Sequence, residues 1–168
     1  VWCINSNYRN YPQCDRLFMM HDIRTEILLH DYDFINEVNK LGIPVYTAGP
    51  NPPLHNNIVY PLEDIVAETS VAFFLNSMTY MLALASFQEP KFIHMYGVDM
   101  RPDSGFEWHQ NEKGCIEFWT GFCIGKGIRI VVPKESYVCR RTMIGYFYGY
   151  LPTKDTNGLI YMTPQNDR

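Results

Sequence analysis

Several short stretches of this 168-residue chain combine residue types that can do chemistry. Asn76-Ser77 stands just before an apolar, alanine-rich run. A helix starting there offers free N–H groups and a partial positive charge to a phosphate or carboxylate, and the same pair serves equally well as a plain N-cap. His21-Asp22 closes the apolar run 16–20 and makes an additional polar site. Its imidazole titrates near neutrality beside a carboxylate, although neighbours on a strand point to opposite faces. Residues 101–110 (Arg-Pro-Asp-Ser-Gly-Phe-Glu-Trp-His-Gln) read as a lid-like loop, in which Glu107 and His109 flank Trp108 and share one side of an extended chain. Either can act as a base there, against the plainer alternative of a solvated loop anchored by its tryptophan. Asp99, after Tyr96-Gly97-Val98, is placed to hold a sugar hydroxyl or a metal, or to cap its own turn. Asn5 and Asn7 follow the first apolar run.

These residues need a scaffold, and the pattern of apolar runs supplies one. Residues 1–5, 16–21, 43–47, 91–99 and 128–133 read as strands, the stretch 91–99 as a central one. Between them, 31–41 has apolar residues at 34, 35, 38 and 41 with Gly42 as a helix stop, and 61–67 has proline in its first turn. Residues 78–87 are apolar on almost every face, which predicts a buried helix with at most its amino end exposed. A helix with an aromatic face is expected over 110–124, a surface loop over 48–57, a short helix beyond Ser136 and a last strand over 158–162. Alternation of strand and helix at this spacing specifies an α/β fold with a mostly parallel sheet, in which ligands bind beyond the carboxyl ends of the strands. The expected division is an α/β domain over 1–150 and a C-terminal tail over 151–168. His94 reads as a core histidine, and His30 and His55 as surface residues.

Composition narrows the function classes. The net charge of −4 carries no basic runs, which argues against binding to duplex nucleic acid. No apolar stretch approaches the roughly 18 residues of a membrane span. Five cysteines, an odd number with no C-x-x-C spacing, predict free thiols and a cytoplasmic setting rather than a disulfide framework or a zinc knuckle. No metal site is specified, because EF-hand and His-x-x-x-His patterns are absent, and the serine-hydrolase elbow and the P-loop are absent as well. Val1 opens directly on an apolar run, so an upstream strand and a glycine-rich phosphate turn are expected to precede it.

The run 73–85, followed by Phe92-Ile93-His94-Met95-Tyr96-Gly97-Val98-Asp99, resembles a Rossmann-like group that includes the Cst-type sialyltransferases and the MptE-like hydroxymethylpterin pyrophosphokinases, with many phage-encoded relatives. Trp2-Cys3-Ile4-Asn5-Ser6-Asn7-Tyr8 is similar to the sialyltransferase strand whose end contacts the nucleotide, and the likeness extends to about Tyr150. The resemblance implies a Rossmann-like three-layer fold that lacks its first strand and glycine-rich loop. It also implies a nucleotide-linked donor held by Asn5, Asn7, Ser77 and Thr79, with Asp99 close by and His109 as the base that deprotonates a hydroxyl acceptor. The expected activity is sialyltransferase-like sugar transfer from a nucleotide-sugar donor. Two alternatives stand beside it: a Mg-dependent pterin-type pyrophosphokinase using Asp22 and Asp99, and a non-catalytic phage protein that binds or assembles. Expected partners are a nucleotide or nucleotide-sugar and, through aromatic surfaces, further copies of the chain or a virion, in the host cytoplasm or the particle.

Overall fold

The computed structural model describes residues 1–21, 33–51, 53–101, 108–133, 135–139, 146–147, 151–152 and 160–162, with the backbone alone for 108–109 and for everything beyond 140. The chain is an α/β protein of the Rossmann-like class, divided into two compact units. The first comprises Val1–Ala72 with Asn76–Met81, the second Phe73–Leu75 with Leu82–Arg168.

In the first unit, β1 (Trp2–Ile4), β2 (Arg16–Met19), β3 (Val45–Thr47) and β4 (Asn57–Val59) form a wholly parallel sheet in the order β1-β2-β3-β4. Cys3 lies opposite Leu17, Leu17 opposite Val45, and Val45 opposite Asn57. β2 is the deepest strand: Leu17, Phe18 and Met19 are consecutive and all buried, so both of its faces are covered. Helix α1 (Phe34–Leu41) presents Phe34 and Val38, one turn apart, to a core of Cys3, Tyr8, Leu17, Met19, Val45 and Leu54. It stops where the sequence asks it to, at Gly42 with φ of 66°, a left-handed conformation that costs glycine nothing. Rings join the strands: Phe18 stacks on Tyr46 at 4.8 Å and meets Trp2 at 5.3 Å. Helix α2 (Leu62–Thr69) follows β4 and buries Ile65. β4 begins within the stretch expected to be a loop; the β-branched pair Ile58-Val59 extends once the Asn57 side chain has fixed the preceding turn, its amide donating to the Thr47 hydroxyl and its oxygen accepting from the Asn51 N–H at 2.7 Å.

Helix α3 (Ser77–Gln88) has its first turns in the first unit and its remainder in the second. Leu82, Ala83, Leu84, Ala85 and Ser86 are all buried, as the apolar run predicts. The end left in solvent is the reverse of the expected one: Ser77 and Thr79 are buried, whereas Phe87 at the carboxyl end is 39% exposed. The cause lies after β4, where the Tyr60 hydroxyl donates to the Tyr80 carbonyl at 2.8 Å and the two rings meet edge to face.

In the second unit, β5 (Phe92–His94) and β6 (Arg129–Val132) pair in parallel, and β9 (Ile160–Met162) joins β6 antiparallel. A hairpin pairs β7 (Tyr146–Phe147) with β8 (Leu151–Pro152). Helix α4 (Trp108–Gly125) makes the crossover between β5 and β6, burying Cys115, Ile116, Trp119 and Cys123 along one stripe. The indole N–H of Trp119 donates to the Phe73 carbonyl at 2.7 Å, and Phe74 stacks on the same ring at 5.3 Å. Two expectations need correction here. The stretch 91–99 is a three-residue edge strand among the described residues, not a central one, and His94 is exposed rather than in the core. The sequence shows the apolar run, but burial depends on what covers the face that carries Phe92, His94 and Tyr96, which a local pattern does not reveal. Helix α4 also starts earlier than expected and takes in 108–110; the short helix expected beyond Ser136 falls largely outside the described residues.

Candidate functional site

Asn5 stands at the carboxyl end of β1, where the chain leaves the sheet with φ of 47° and enters a 3-10 helix, Asn5–Asn10. Asparagine tolerates that left-handed conformation better than most side chains. The turn is clamped from α1. Glu37 accepts from the Tyr8 hydroxyl at 2.8 Å and from the Arg9 guanidinium at 2.7 and 2.9 Å. Hydrogen bonds from Arg9 and then Tyr8 hold the Glu37 carboxyl below its ordinary range, and burial, followed by the bond to Glu37, pushes Tyr8 up to about 12. Nothing local in the sequence pairs residues 8 and 9 with 37. The clamp fixes the backbone that carries Asn5 and Asn7; Asn7 is exposed, and the side-chain oxygen of Asn5 is buried without a hydrogen-bond partner.

The start of α3 is built as a capping box. Asn76 Oδ1 accepts from the Thr79 N–H at 3.1 Å, the Thr79 hydroxyl donates to the Asn76 carbonyl at 2.6 Å, and the Asn76 N–H returns to that hydroxyl at 3.4 Å. Thr79 is fully buried and its hydroxyl is engaged with Asn76, so it shapes the helix start. Ser77, the first helical residue, is 5% exposed, and its Oγ has no partner; neither does Nδ2 of Asn76. Asn5 Oδ1, Asn76 Nδ2 and Ser77 Oγ are the unpartnered buried side-chain polar atoms among the described residues, and all three belong to the first unit. An unmet buried donor or acceptor costs about 1–3 kcal/mol, which a ligand with hydroxyl, amide or phosphate groups removes on binding.

In the second unit, the strand end at Gly97-Val98-Asp99 is shaped by Gly97, whose φ of 72° turns the chain. The Asp99 carbonyl accepts from the Tyr137 N–H at 2.8 Å, and the Val98 carbonyl accepts from the Ser136 hydroxyl, which ties this end to the segment after β6. The Asp99 carboxylate points to solvent and pairs with Arg101 at 2.8 Å. His109 lies in the first turn of α4, not in an extended loop, so the geometry that would put it on the same side as Glu107 does not extend through Trp108. Glu107 and Asp22 lie outside the described residues, and His21 is an exposed residue just beyond β2. Among the described residues no three His, Cys, Asp or Glu side chains gather as a metal site, and no helix is long and apolar enough to cross a membrane.

No family model, curated protein or solved structure matches the chain. The geometry of its own residues therefore carries the functional argument.

Proposed function

We propose that the protein is a nucleotide-sugar-dependent transferase of the sialyltransferase-like kind, with side chains of its first unit holding the nucleotide. The observation that carries this reading is the set of unpartnered buried polar atoms. Two of the residues named from the sequence as nucleotide contacts, Asn5 and Ser77, each keep a buried side-chain oxygen unbonded. Amide and hydroxyl groups of this kind suit a base edge and ribose, and the amino end of α3 adds backbone polarity that favours a phosphate. Asn7, exposed on the same clamped turn, is the further contact.

The proposed chemistry follows from residue type. The imidazole of His109 takes the proton of the acceptor hydroxyl as that oxygen bonds to the anomeric carbon, and the bond from that carbon to the phosphate oxygen breaks with its electron pair leaving on the nucleotide. Asp99 orients hydroxyls of donor or acceptor, exchanging its Arg101 pairing for them. The test is release of free nucleotide from CMP-, UDP- and GDP-linked sugars in the presence of hydroxyl acceptors. Release that persists in chelator and falls at least 100-fold in His109→Ala supports the reading. Turnover only with ATP and Mg²⁺ assigns the protein to pyrophosphoryl transfer, and no turnover with any donor removes the enzymatic reading.

A further inference from the structure

Two of the five cysteines lie side by side on the core face of the first sheet. Cys3, in the middle of β1, stands opposite Leu17, and residues opposite each other on paired strands share a face, so both side chains enter the core that Phe34 and Val38 of α1 complete. Cys14, just before β2, packs against that same core. The β1–β2 seam brings the two together. The Val1 carbonyl accepts from the N–H groups of Asp15 at 2.7 Å and Arg16 at 3.4 Å, so Arg16 turns its backbone to β1, whereas the Leu17 N–H donates to the Pro44 carbonyl at 3.0 Å on the other side. In a parallel pair the Arg16 carbonyl then lies in the seam beside Cys3, and the Cys14 thiol donates to it at 3.2 Å.

The two thiols are hydrogen-bonding neighbours: burial first, and the Cys14 side chain second, push Cys3 up to about 12. Their access to solvent differs, since Cys3 is buried and Cys14 half-buried. The pair brackets the 3-10 turn Asn5–Asn10. The other three cysteines belong to the second unit, where the thiols of Cys115 and Cys123 turn to the carbonyls of Phe73 and Leu82. All five are free thiols in this structure.

We propose that Cys3 and Cys14 form a redox site that takes a small-molecule disulfide as its oxidant and closes as a reversible disulfide across this turn. The site does not depend on the nucleotide reading. Cys14, the thiol within reach of solvent, reacts first: its thiolate sulfur bonds to one sulfur of the oxidant, the oxidant's S–S bond breaks, and the departing thiolate takes up the proton that Cys14 released. The Cys3 sulfur then attacks the Cys14 sulfur, and the second small thiolate leaves and takes up the Cys3 proton. The two protein thiols have lost two electrons and two protons, and the oxidant has become two thiols. The new bond ties β1 directly to the start of β2, so that the turn carrying Asn5 and Asn7 is closed covalently as well as clamped by Glu37.

Peptide mapping of the folded full chain tests the proposal. The chain is incubated with oxidised glutathione, its remaining thiols are alkylated before it is unfolded, and it is then digested with trypsin for mass spectrometry. Cleavage after Arg9 and Arg16 places Cys3 and Cys14 on separate peptides, 1–9 and 10–16, which only a disulfide joins. The expected result is the joined pair in most chains, lighter than the two thiol peptides by two hydrogen atoms, and its loss on treatment with dithiothreitol. Cys14→Ser is expected to leave peptide 1–9 alkylated, and Cys115→Ser to leave the joined pair in place. Because the wild-type map decides the matter, a variant that fails to fold does not shelter the proposal. Cys3 and Cys14 both alkylated after oxidation, glutathione retained on Cys14 with Cys3 still free, or a link from either to Cys115, Cys123 or Cys139 overturns it.

Discussion

β2 and β5 are both short parallel strands drawn from apolar runs that end in polar residues, yet their surroundings are opposite. Leu17, Phe18 and Met19 of β2 are at most 1% exposed, whereas Phe92 on β5 is 52% exposed. Composition does not separate them. Among the described residues β2 has hydrogen-bonded neighbours on both edges and β5 on one, but it is cover on the faces that differs: three consecutive buried side chains show that both faces of β2 are covered, whereas the face of β5 that carries Phe92 and His94 is open. The buried sheet carries the turn that begins at Asn5, whereas Phe92, His94 and Tyr96 lie in solvent.

The largest expected effect breaks this contrast if it is absent. Phe18→Ala should destabilise the chain by about 3–5 kcal/mol, because it empties a fully buried site between Trp2 and Tyr46. Phe92→Ala, measured by urea unfolding at concentrations where the chain is monomeric, should stay within about 0.5 kcal/mol of wild type. Equal losses would show that β5 is covered after all. Asn76→Ala should cost about 1 kcal/mol through the lost cap, read as a fall in Tm, and Asn76→Asp should recover most of it. The smallest effect is on pH dependence. Glu37 has a depressed folded pKa, so its contribution is present above the ordinary carboxylate range and is lost as pH falls through the folded value. Glu37→Gln should flatten that acid limb of stability while leaving the neutral range nearly unchanged, and an acid limb as steep as in wild type would count against the clamp on the Asn5 turn.

The periodic elements were legible in the sequence for physical reasons. The 3.6-residue spacing of Phe34, Val38 and Leu41 and the stop at Gly42 define α1, and the aromatic face expected over 110–124 falls within α4, where Trp119 is buried and Phe118 exposed. Asn76 was recognisable as a helix start because small polar residues compete for exposed N–H groups. What pattern alone did not carry was long-range. The Tyr8–Arg9–Glu37 clamp joins residues 28 and 29 positions apart. The burial of the amino end of α3 comes from Tyr60, which no local signal links to Tyr80. His94 reads as core only if β5 is central, and strand order is a tertiary property. β4 was hidden by Pro50, Pro52 and Pro53, which mark the loop before it but not its length.

The central claim is that the buried, unbonded oxygens of Asn5 and Ser77 are nucleotide contacts. Calorimetric titration of CMP into the wild-type chain and into Asn5→Ala and Ser77→Ala, each first shown to be folded, tests it most directly. The account predicts saturable binding by the wild type, weakened at least about tenfold in each variant, since one hydrogen bond of about 1.4 kcal/mol corresponds to that factor. Wild-type binding that both variants retain in full, or no binding by the wild type of CMP, CDP, UDP, GDP or ATP, with or without Mg²⁺, would contradict it.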